Sequence, residues 1–199
     1  MFYPGRDLTD LLALAAIFFW PVVPLFWIPV HGFPNLFRRL GLFTYLMPAV
    51  LLPPIVYLIY INRDFLLSYR TDVSLVFRIA GIVLLLGGTL LHIRTGILLS
   101  LRGLMGLPEI SNRIKGRLVT GGAFSLVRHP TYLAHTLMFA GVFLISGVIA
   151  TGIITVLDIV VINAFVIPLE EKELADRFGE EYEEYRKRVP RFFPKIGKK

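Results

Sequence analysis

Long blocks of apolar residues, separated by short polar stretches, organise the first half of the chain. The blocks cover about residues 8–30, 40–61 and 73–101. A helix needs roughly 20 residues, each adding about 1.5 Å, to cross a hydrocarbon core about 30 Å thick. Each block is therefore long enough to form one transmembrane helix. Prolines within the first two blocks are expected to kink those two helices.

The apolar stretch at residues 131–167 is long enough for two further helices. Its 37 residues correspond to roughly 27 Å of helix for each of two spans. Glycines and Thr151 interrupt the stretch between residues 146 and 152, which predicts a turn there. The pattern thus predicts about five transmembrane helices, of which the last two form a tight helical hairpin.

Two polar segments follow a different pattern. Residues 102–130 are basic and punctuated by glycine, and they predict a structured loop at the membrane face. Residues 170–189 place apolar side chains at near-helical spacing among charges, which predicts a C-terminal amphipathic helix. We therefore expect an all-α membrane protein. Residues 1–72 would form the two N-terminal helices, and residues 73–199 would form the functional core.

Composition supports this fold class and excludes some chemistry. Apolar and aromatic residues make up 55% of the chain and charged residues 18%, which is more apolar than a soluble domain of this size can bury. With no cysteine, the chain has no disulfide, thiolate nucleophile or thiolate metal ligand, and no metal site is predicted. The first apolar block lacks the cleavage pattern of a signal peptide, so we expect it to remain as a helix.

The distribution of basic residues predicts the orientation in the membrane. The net charge is +7, but the basic residues cluster beside and after the predicted helices, which favours the membrane surface over nucleic acid as their partner. Sixteen of them fall in the link after helix 1, the loop after helix 3 and the tail, against Arg6, Arg63 and Arg70 on the other side. The positive-inside rule therefore places the loop and the C-terminus in the cytoplasm and the N-terminus opposite.

The first candidate motif reads Arg-His-Pro-Thr-Tyr at residues 128–132, where the basic loop meets the fourth predicted helix. Proline fits the first turn of a helix, so His129 would be the cap residue beside the positive end of the helix dipole. Tyr132 and His135 would lie one to two turns into the same helix. This pattern is typical either of an interfacial anchor or of a site for anionic or lone-pair groups.

The second candidate motif is the pair Glu170 and Glu171, which follows the last apolar stretch. These carboxylates either stabilise the start of a helix through its dipole or bind a ligand. A carboxylate can accept hydrogen bonds from both hydroxyls of a ribose, and it attracts a sulfonium cation. A third motif, Phe-Gly-x-x-Tyr-x-x-Tyr at residues 178–185, lies in the predicted amphipathic helix.

The order of these motifs, with Leu-Val-Thr-Gly-Gly at residues 118–122 before them, resembles the isoprenylcysteine carboxyl methyltransferase and phospholipid methyltransferase superfamily. The resemblance covers roughly residues 80–195, and the first two helices carry no family signal. It implies an integral-membrane methyltransferase that binds S-adenosyl-L-methionine at the cytosolic face, between the hairpin and the C-terminal helix, and releases S-adenosyl-L-homocysteine. The acceptor would be a lipophilic molecule that enters from the bilayer.

The resemblance also implies a set of site residues. The implied cofactor-binding residues are Arg117, Leu118, Val119, Phe124, His129, Pro130, Tyr132, Glu170 and Glu171. The first three would contribute mainly backbone contacts, and Glu170 would bind the polar end of the cofactor. No catalytic base is assigned, because a carboxylate or thiolate acceptor needs none. The candidates are Arg128, His129 and His135, and either histidine would assist an amine acceptor.

Two departures from the family pattern bear on the cofactor and on the acceptor. Phe124 stands where relatives have a tyrosine, so the aromatic face remains and the hydroxyl is lost. Val166 stands where the isoprenylcysteine enzymes have an arginine that resembles a clamp for the substrate carboxylate, and its loss disfavours a carboxylate acceptor. Arg94 in the third helix is a candidate replacement at the substrate site. The alternative is a structural ion pair between Arg94 and Asp158.

Three other functions remain open on the sequence alone. A phospholipid N-methyltransferase would act on an amine head group. An NADPH-dependent lipid or sterol reductase would share the Arg-His-Pro region, but no site for the extra phosphate of NADPH is evident. A membrane scaffold or small transporter is disfavoured because the motifs cluster at one face. The identity of the acceptor and the oligomeric state are left open.

Overall fold

The computed structural model describes residues 6–111, 113–114 and 116–193. The described residues are mainly helical, and the fold class is all-α as predicted. Their α-helices are α1 (Arg6–Phe19), α2 (Val22–Gly32), α3 (Pro34–Leu40), α4 (Leu46–Ile61), α5 (Arg63–Ser68), α6 (Leu75–Leu104), α7 (Leu107–Ile110), α8 (Pro130–Ser146), α9 (Ile149–Val161), α10 (Ile167–Phe178) and α11 (Glu180–Arg188). Residues 1–5, on which the predicted position of the N-terminus depends, lie outside the described part.

Four helical segments of the described chain are long and apolar enough to cross a membrane. They are Leu8–Gly32, Pro34–Ile61, Leu75–Ile110 and Ile149–Phe178. The remaining apolar helix, α8, has 17 residues and is about 25 Å long. An integral membrane architecture is therefore confirmed, whereas a fifth span depends on α8 and stays a prediction.

The C-terminal half departs from the predicted pattern of a hairpin followed by one amphipathic helix. The chain does not leave the helix near residue 167, because a π-helical turn at Ile162–Val166 joins α9 directly to α10. The helix predicted for residues 170–189 is instead broken at Gly179, whose φ of 58° lies in the left-handed region that favours glycine. The break lets α11 turn back toward the loop.

Glycines bring α6 and α8 together as antiparallel neighbours. An added Cβ on Gly141 would lie 2.7 Å from the carbonyl oxygen of Gly81, and one on Gly88 would lie 2.8 Å from the carbonyl oxygen of Ala134. The backbones are thus too close for a larger side chain at these positions. Small residues commonly permit such contact between helices in membranes. The glycines therefore fix the register of α6 against the helix that carries the Arg-His-Pro motif.

The turn of the hairpin is tied to the segment that precedes α6. Gly147, between α8 and α9, has a φ of 69°, and its carbonyl oxygen accepts a hydrogen bond of 2.8 Å from the backbone N–H of Thr71. On the same side, Arg70 forms an ion pair with Asp10 of α1. These contacts lie at one end of the bundle, and the polar motifs lie at the opposite end.

Candidate active site

A cavity of about 200 Å³ lies at the end of the bundle where the motifs collect. Its walls come from α2, α6, α7, the start of α8 and α10. Among the residues that line it are His31, Phe124, His129, Tyr132, His135 and Glu170. Residues from both halves of the chain therefore enclose one site.

A smaller cavity of about 90 Å³ adjoins the first, since Phe124, His129 and Glu170 line both. Arg117, Leu118 and Val119 line the smaller cavity. The loop residues and the residues of the later motifs are thus brought together in space, as the predicted cofactor site requires. Two buried tyrosines of α11, Tyr182 and Tyr185, close this cavity from the other side.

Glu171 is the centre of an ion-pair network beside the cavity. Its Oε1 accepts hydrogen bonds from Arg128, at 2.8 Å from Nη2 and 3.1 Å from Nε, and lies 3.0 Å from Nε2 of His129. Its Oε2 lies 3.4 Å from Nη2 of Arg191. Glu171 is buried and its carboxylate is fully engaged. Among the described residues it is a structural partner of the motif, and it does not line the cavity.

His129 is held between two carboxylates. In addition to the contact with Glu171, its Nδ1 lies 3.4 Å from Oε2 of Glu170. Burial alone would lower the pKa of His129, but the hydrogen bonds and negative charge of Glu170 and Glu171 outweigh burial and raise that pKa. Because both ring nitrogens face carboxylates, both can donate at once, which suits the imidazolium form. The two carboxylates therefore favour a positive charge on His129 at the cavity wall.

The C-terminal segment after α11, at residues 189–191, holds the Arg-His-Pro motif in place through hydrogen bonds. The backbone N–H of Arg128 donates to the carbonyl oxygen of Pro190 at 2.8 Å, and that of His129 donates to Arg191 at 3.3 Å. The Arg128 side chain also donates to the carbonyl oxygen of Val189 at 2.6 Å. The helices α10 and α11 and residues 189–191 therefore position the Arg-His-Pro motif.

The loop is fastened to α11 by Tyr185, whose hydroxyl donates to the carbonyl oxygen of Phe124 at 2.7 Å. Burial raises the pKa of Tyr185 to about 12, so the hydroxyl remains a donor at physiological pH. Burial and the charge of Glu171 also raise the pKa of Tyr182. The two tyrosines of the tail motif are thus neutral groups that hold the loop and fill the space behind it.

Several of the predicted residues have other places in the structure. Pro130 is buried at the first turn of α8, where it sets the start of the helix and does not line either cavity. Arg94 lines a separate apolar groove with Leu98 and Leu126, away from the cavities. The suggested ion pair between Arg94 and Asp158 is wrong, because Asp158 accepts a hydrogen bond of 2.6 Å from Thr136 instead.

The sequence predictions missed the contribution of α2 to the site, and in α6 they selected Arg94 as the substrate candidate whereas the structure places His92 at the cavity. Trp27 and His31 of α2 stack with ring centroids 5.0 Å apart and line the cavity. Their spacing of four residues predicts that they share one face of a helix, but only the tertiary fold shows which face meets the cavity. His92 of α6 also lines it and lies against His135 of α8.

An apolar groove of about 420 Å³ adjoins the cavity at this histidine pair. His92 and His135 line both the cavity and the groove. The other residues that line the groove come from α1, α2, α6 and α8 and are all apolar: Leu12, Ala15, Ala16, Phe19, Val22, Val23, Leu85, Met138, Phe139 and Val142. The groove lies along apolar helices, so it connects the polar cavity with the part of the protein that faces lipid.

The fold and the site define a class of protein: a helical membrane protein with a polar cavity at one end of its bundle and an apolar groove that opens into it. A family model for phospholipid methyltransferases matches residues 76–181. The match covers more than half of the chain, so the chain belongs to the phospholipid methyltransferase family. The resemblance stated from the motifs is thereby confirmed. No solved structure matches the chain.

Curated relatives include three proteins with different names. The chain is 36% identical over 87 residues to the cobalt-zinc-cadmium resistance protein CzcN of Cupriavidus metallidurans, which covers 44% of the chain and 40% of the relative. It is 35% identical over 98 residues to methanethiol S-methyltransferase 1 of Bradyrhizobium diazoefficiens, covering 46% of the chain and 33% of the relative. It is 30% identical over 117 residues to protein-S-isoprenylcysteine O-methyltransferase B of Arabidopsis thaliana, covering 57% of each. The chain thus spans less than half of the first two relatives.

Proposed function

We propose that this protein is an S-adenosyl-L-methionine-dependent methyltransferase that acts on a lipophilic acceptor within the membrane. The observation that carries the proposal is the cavity itself, which gathers Phe124, His129, Tyr132 and Glu170 from separate motifs and opens to an apolar groove. A water-soluble cofactor and a lipid-soluble acceptor require such a pair of adjoining environments. The names of the methyltransferase relatives support the same reaction class.

The residues around the cavity fit the chemistry of the cofactor. Glu170 lines both cavities and presents a carboxylate suited to the ribose hydroxyls or the amino group, whereas Phe124 and Tyr132 provide aromatic faces for the adenine. Thr131 lines the larger cavity with a buried hydroxyl that has no hydrogen-bond partner within the described residues. Because buried polar groups are normally paired, this hydroxyl is suited to a ligand.

When bound, the cofactor supplies a methyl group activated by its sulfonium charge. The protein's task is then to align a nucleophile with that methyl group and exclude water, since correct positioning alone lowers the barrier substantially. The Arg128, His129 and Glu171 network fixes the N-terminal turn of α8, and Tyr185 fixes the loop. Residues of the chain therefore act by holding two reactants, without a covalent intermediate.

Ligand binding tests the cofactor assignment. S-adenosyl-L-homocysteine should raise the thermal denaturation midpoint of the purified protein, because a ligand that binds only the folded state stabilises it. Glu170→Gln should reduce that shift, whereas Glu181→Gln, at an exposed position of α11, should retain it. Stabilisation by NADPH but not by S-adenosyl-L-homocysteine would instead support a reductase. Unchanged binding in Glu170→Gln would remove Glu170 from the site.

The cavity, by our proposal, faces the cytoplasm. The basic residues at this end support it under the positive-inside rule, although Lys115, Lys195, Lys198 and Lys199 of that count lie outside the described residues. The chain has no cysteine, so single cysteines can report sidedness. In sealed right-side-out vesicles, an impermeant maleimide should label Asp64→Cys and not Lys187→Cys, and the opposite pattern would reverse the orientation.

A further inference from the structure

His92 and His135 form a contact at the boundary between the polar cavity and the apolar groove. Their ring centroids are 4.9 Å apart with an interplanar angle of 41°, and both residues line both spaces. The contact follows from the helix packing. Gly88 brings α6 against Ala134, so the histidine one turn after Gly88 meets the residue that follows Ala134.

The two imidazoles retain unused hydrogen-bonding capacity. The Nδ1 atoms of His92 and His135 are buried without a hydrogen-bond partner within the described residues. Buried polar atoms are normally paired, and leaving one unpaired is unfavourable. A packing role would be served as well by apolar side chains at these positions. The pair is therefore suited to an acceptor that brings a proton donor to the end of the groove.

The charges around the groove restrict the chemical class of that acceptor. Apart from the histidines, every residue that lines the groove is apolar. Arg94 lies at a different groove, and Arg128 is already engaged by Glu171 and by two backbone carbonyls. Val166, where an arginine clamp would stand, is fully buried in an apolar cluster. The described residues that line the groove thus include no arginine or lysine that could pair with a carboxylate or phosphate next to the nucleophile.

The nucleophile must also yield a proton to a neutral imidazole. A thiol does so more readily than an alkylammonium group, because their ordinary pKa values are about 8.5 and about 10.4. A thiol also enters an apolar groove as a neutral group, whereas an ammonium carries its charge into it. The groove and the histidine pair together favour a nucleophilic sulfur attached directly to an apolar body.

We propose that His92 and His135 form the acceptor site and take the proton of a lipophilic thiol as it is methylated. The proposal rests on the methyltransferase function given above. The thiol sulfur forms a bond to the methyl carbon while the bond from that carbon to the sulfonium sulfur breaks, and its electron pair remains on the departing sulfur. The thiol proton passes to an imidazole nitrogen. The products are a methyl thioether, S-adenosyl-L-homocysteine and a protonated histidine, which releases its proton afterwards.

The test compares two thiols in protein reconstituted in nanodiscs with radiolabelled S-adenosyl-L-methionine. Dodecanethiol needs a base to ionise, whereas 4-dodecylthiophenol is acidic enough to ionise without one. His135→Gln and His92→Gln should each lower kcat for dodecanethiol by about 100-fold, the range that general base catalysis contributes, and should retain most of the activity with the thiophenol. Equal loss with both thiols would mean a structural role and overturn the proposal.

The groove is tested by filling it from α1. Ala15 lines the groove and is exposed, whereas Leu11 on the same helix is exposed and lies outside it. Ala15→Trp should raise KM for dodecanethiol at least tenfold, and Leu11→Trp should leave it unchanged. Equal KM values in the two variants would overturn the assignment of the groove.

Cofactor binding separates a failure of this proposal from a failure of the proposed function. Ala15→Trp and Leu11→Trp, which change residues outside the cofactor cavities, should bind S-adenosyl-L-homocysteine as the wild type does. If the wild type binds it but methylates dodecanoic acid or dodecylamine and not dodecanethiol, the thiol assignment is wrong and the methyltransferase function stands. If the wild type does not bind it, the proposed function fails together with the inference.

Discussion

The N-terminal helices and the C-terminal core differ in how they contribute to the site. None of the residues of α4, all of which the structure describes, is buried, and many large apolar side chains of residues 8–69 are exposed. The family model matches residues of the C-terminal core, and the core also contains the ion-pair network of Glu171. Yet Trp27 and His31 of the N-terminal region line the same cavity. The reactive groups are thus concentrated in one region, and the other supplies a wall.

The two regions are joined by charge as well as by apolar packing. Arg38 at the end of α3 donates a hydrogen bond of 2.7 Å to Glu173 of α10, and Arg177 pairs with both Glu173 and Glu109 of α7. Glu173 is buried, so each of its cationic partners matters. These ion pairs join the N-terminal helices, which form one wall of the cavity, to α10. Weakening the ion pairs should therefore affect the cavity without changing a motif residue.

The largest effect is expected within the core. Glu171→Ala removes the carboxylate that pairs with the partly buried Arg128 and the buried His129, which costs about 3–5 kcal/mol of folding stability. The thermal denaturation midpoint in detergent should fall sharply. Glu184→Ala, at an exposed position of α11, is the matched control and should unfold as the wild type does. Equal midpoints for the two variants would contradict the structural role of Glu171.

A smaller effect is expected where the two regions meet. Arg38→Ala leaves Glu173 with Arg177 as its remaining cation and should cost about 2 kcal/mol. Because α3 follows α2 directly, the loss should also weaken binding of S-adenosyl-L-homocysteine. Arg39→Ala, at an exposed neighbouring position, provides the comparison. Both variants would be titrated with S-adenosyl-L-homocysteine. Equal affinities would mean that the N-terminal wall does not depend on this ion pair.

The helix contact within the core allows a comparison of two glycines. An added Cβ on Gly141 would lie 2.7 Å from backbone atoms of α6, whereas one on Gly87 would meet no atom within 4 Å. Gly141→Ala should therefore destabilise the protein by about 1–3 kcal/mol, and Gly87→Ala should be neutral or stabilising by up to about 1 kcal/mol. Denaturation curves that coincide for these variants would rule out close α6–α8 packing.

The smallest effect concerns pH. The pKa of His129 is raised in the folded protein, so the folded state binds the imidazolium proton more tightly than the unfolded state does. This stabilisation is fully present below the ordinary pKa of about 6.5 and is lost as pH rises through the raised pKa of the folded protein. The denaturation midpoint should thus fall with rising pH in that window. In His129→Gln the contribution of His129 to the slope of the midpoint against pH should disappear. An unchanged slope would mean that another group causes the pH dependence.

The sequence predicted those parts of the site that depend on local pattern. Pro130 at the first turn of α8 marks the start of that helix, and the motifs that contain His129 and Glu170 do meet at one cavity. The role of Glu171 was not predictable, because the sequence does not distinguish the two adjacent carboxylates. Only the tertiary fold shows that Glu171, and not Glu170, pairs with Arg128. The break at Gly179 was missed since the tail pattern continues across it.

Long-range contacts account for the remaining differences. Residues 189–191 contact the Arg-His-Pro motif, and His92 contacts His135. Both contacts join segments that are far apart in the chain, and the periodicity of a sequence does not predict such pairs. Arg94 illustrates the opposite error. Its depth in an apolar helix suggested a partner or a substrate, whereas the structure places it at an outer groove.

Transfer of a labelled methyl group tests the central claim most directly. Purified protein in proteoliposomes made with membrane lipid extract would be incubated with S-adenosyl-L-methionine that carries a radiolabelled methyl group, and the organic phase would be counted. We expect label in an organic-soluble product with the wild type and a large loss of that label with Glu170→Gln. Binding of S-adenosyl-L-homocysteine by wild-type protein that transfers no label to any membrane extract or lipophilic thiol, amine or acid would contradict a methyltransferase function.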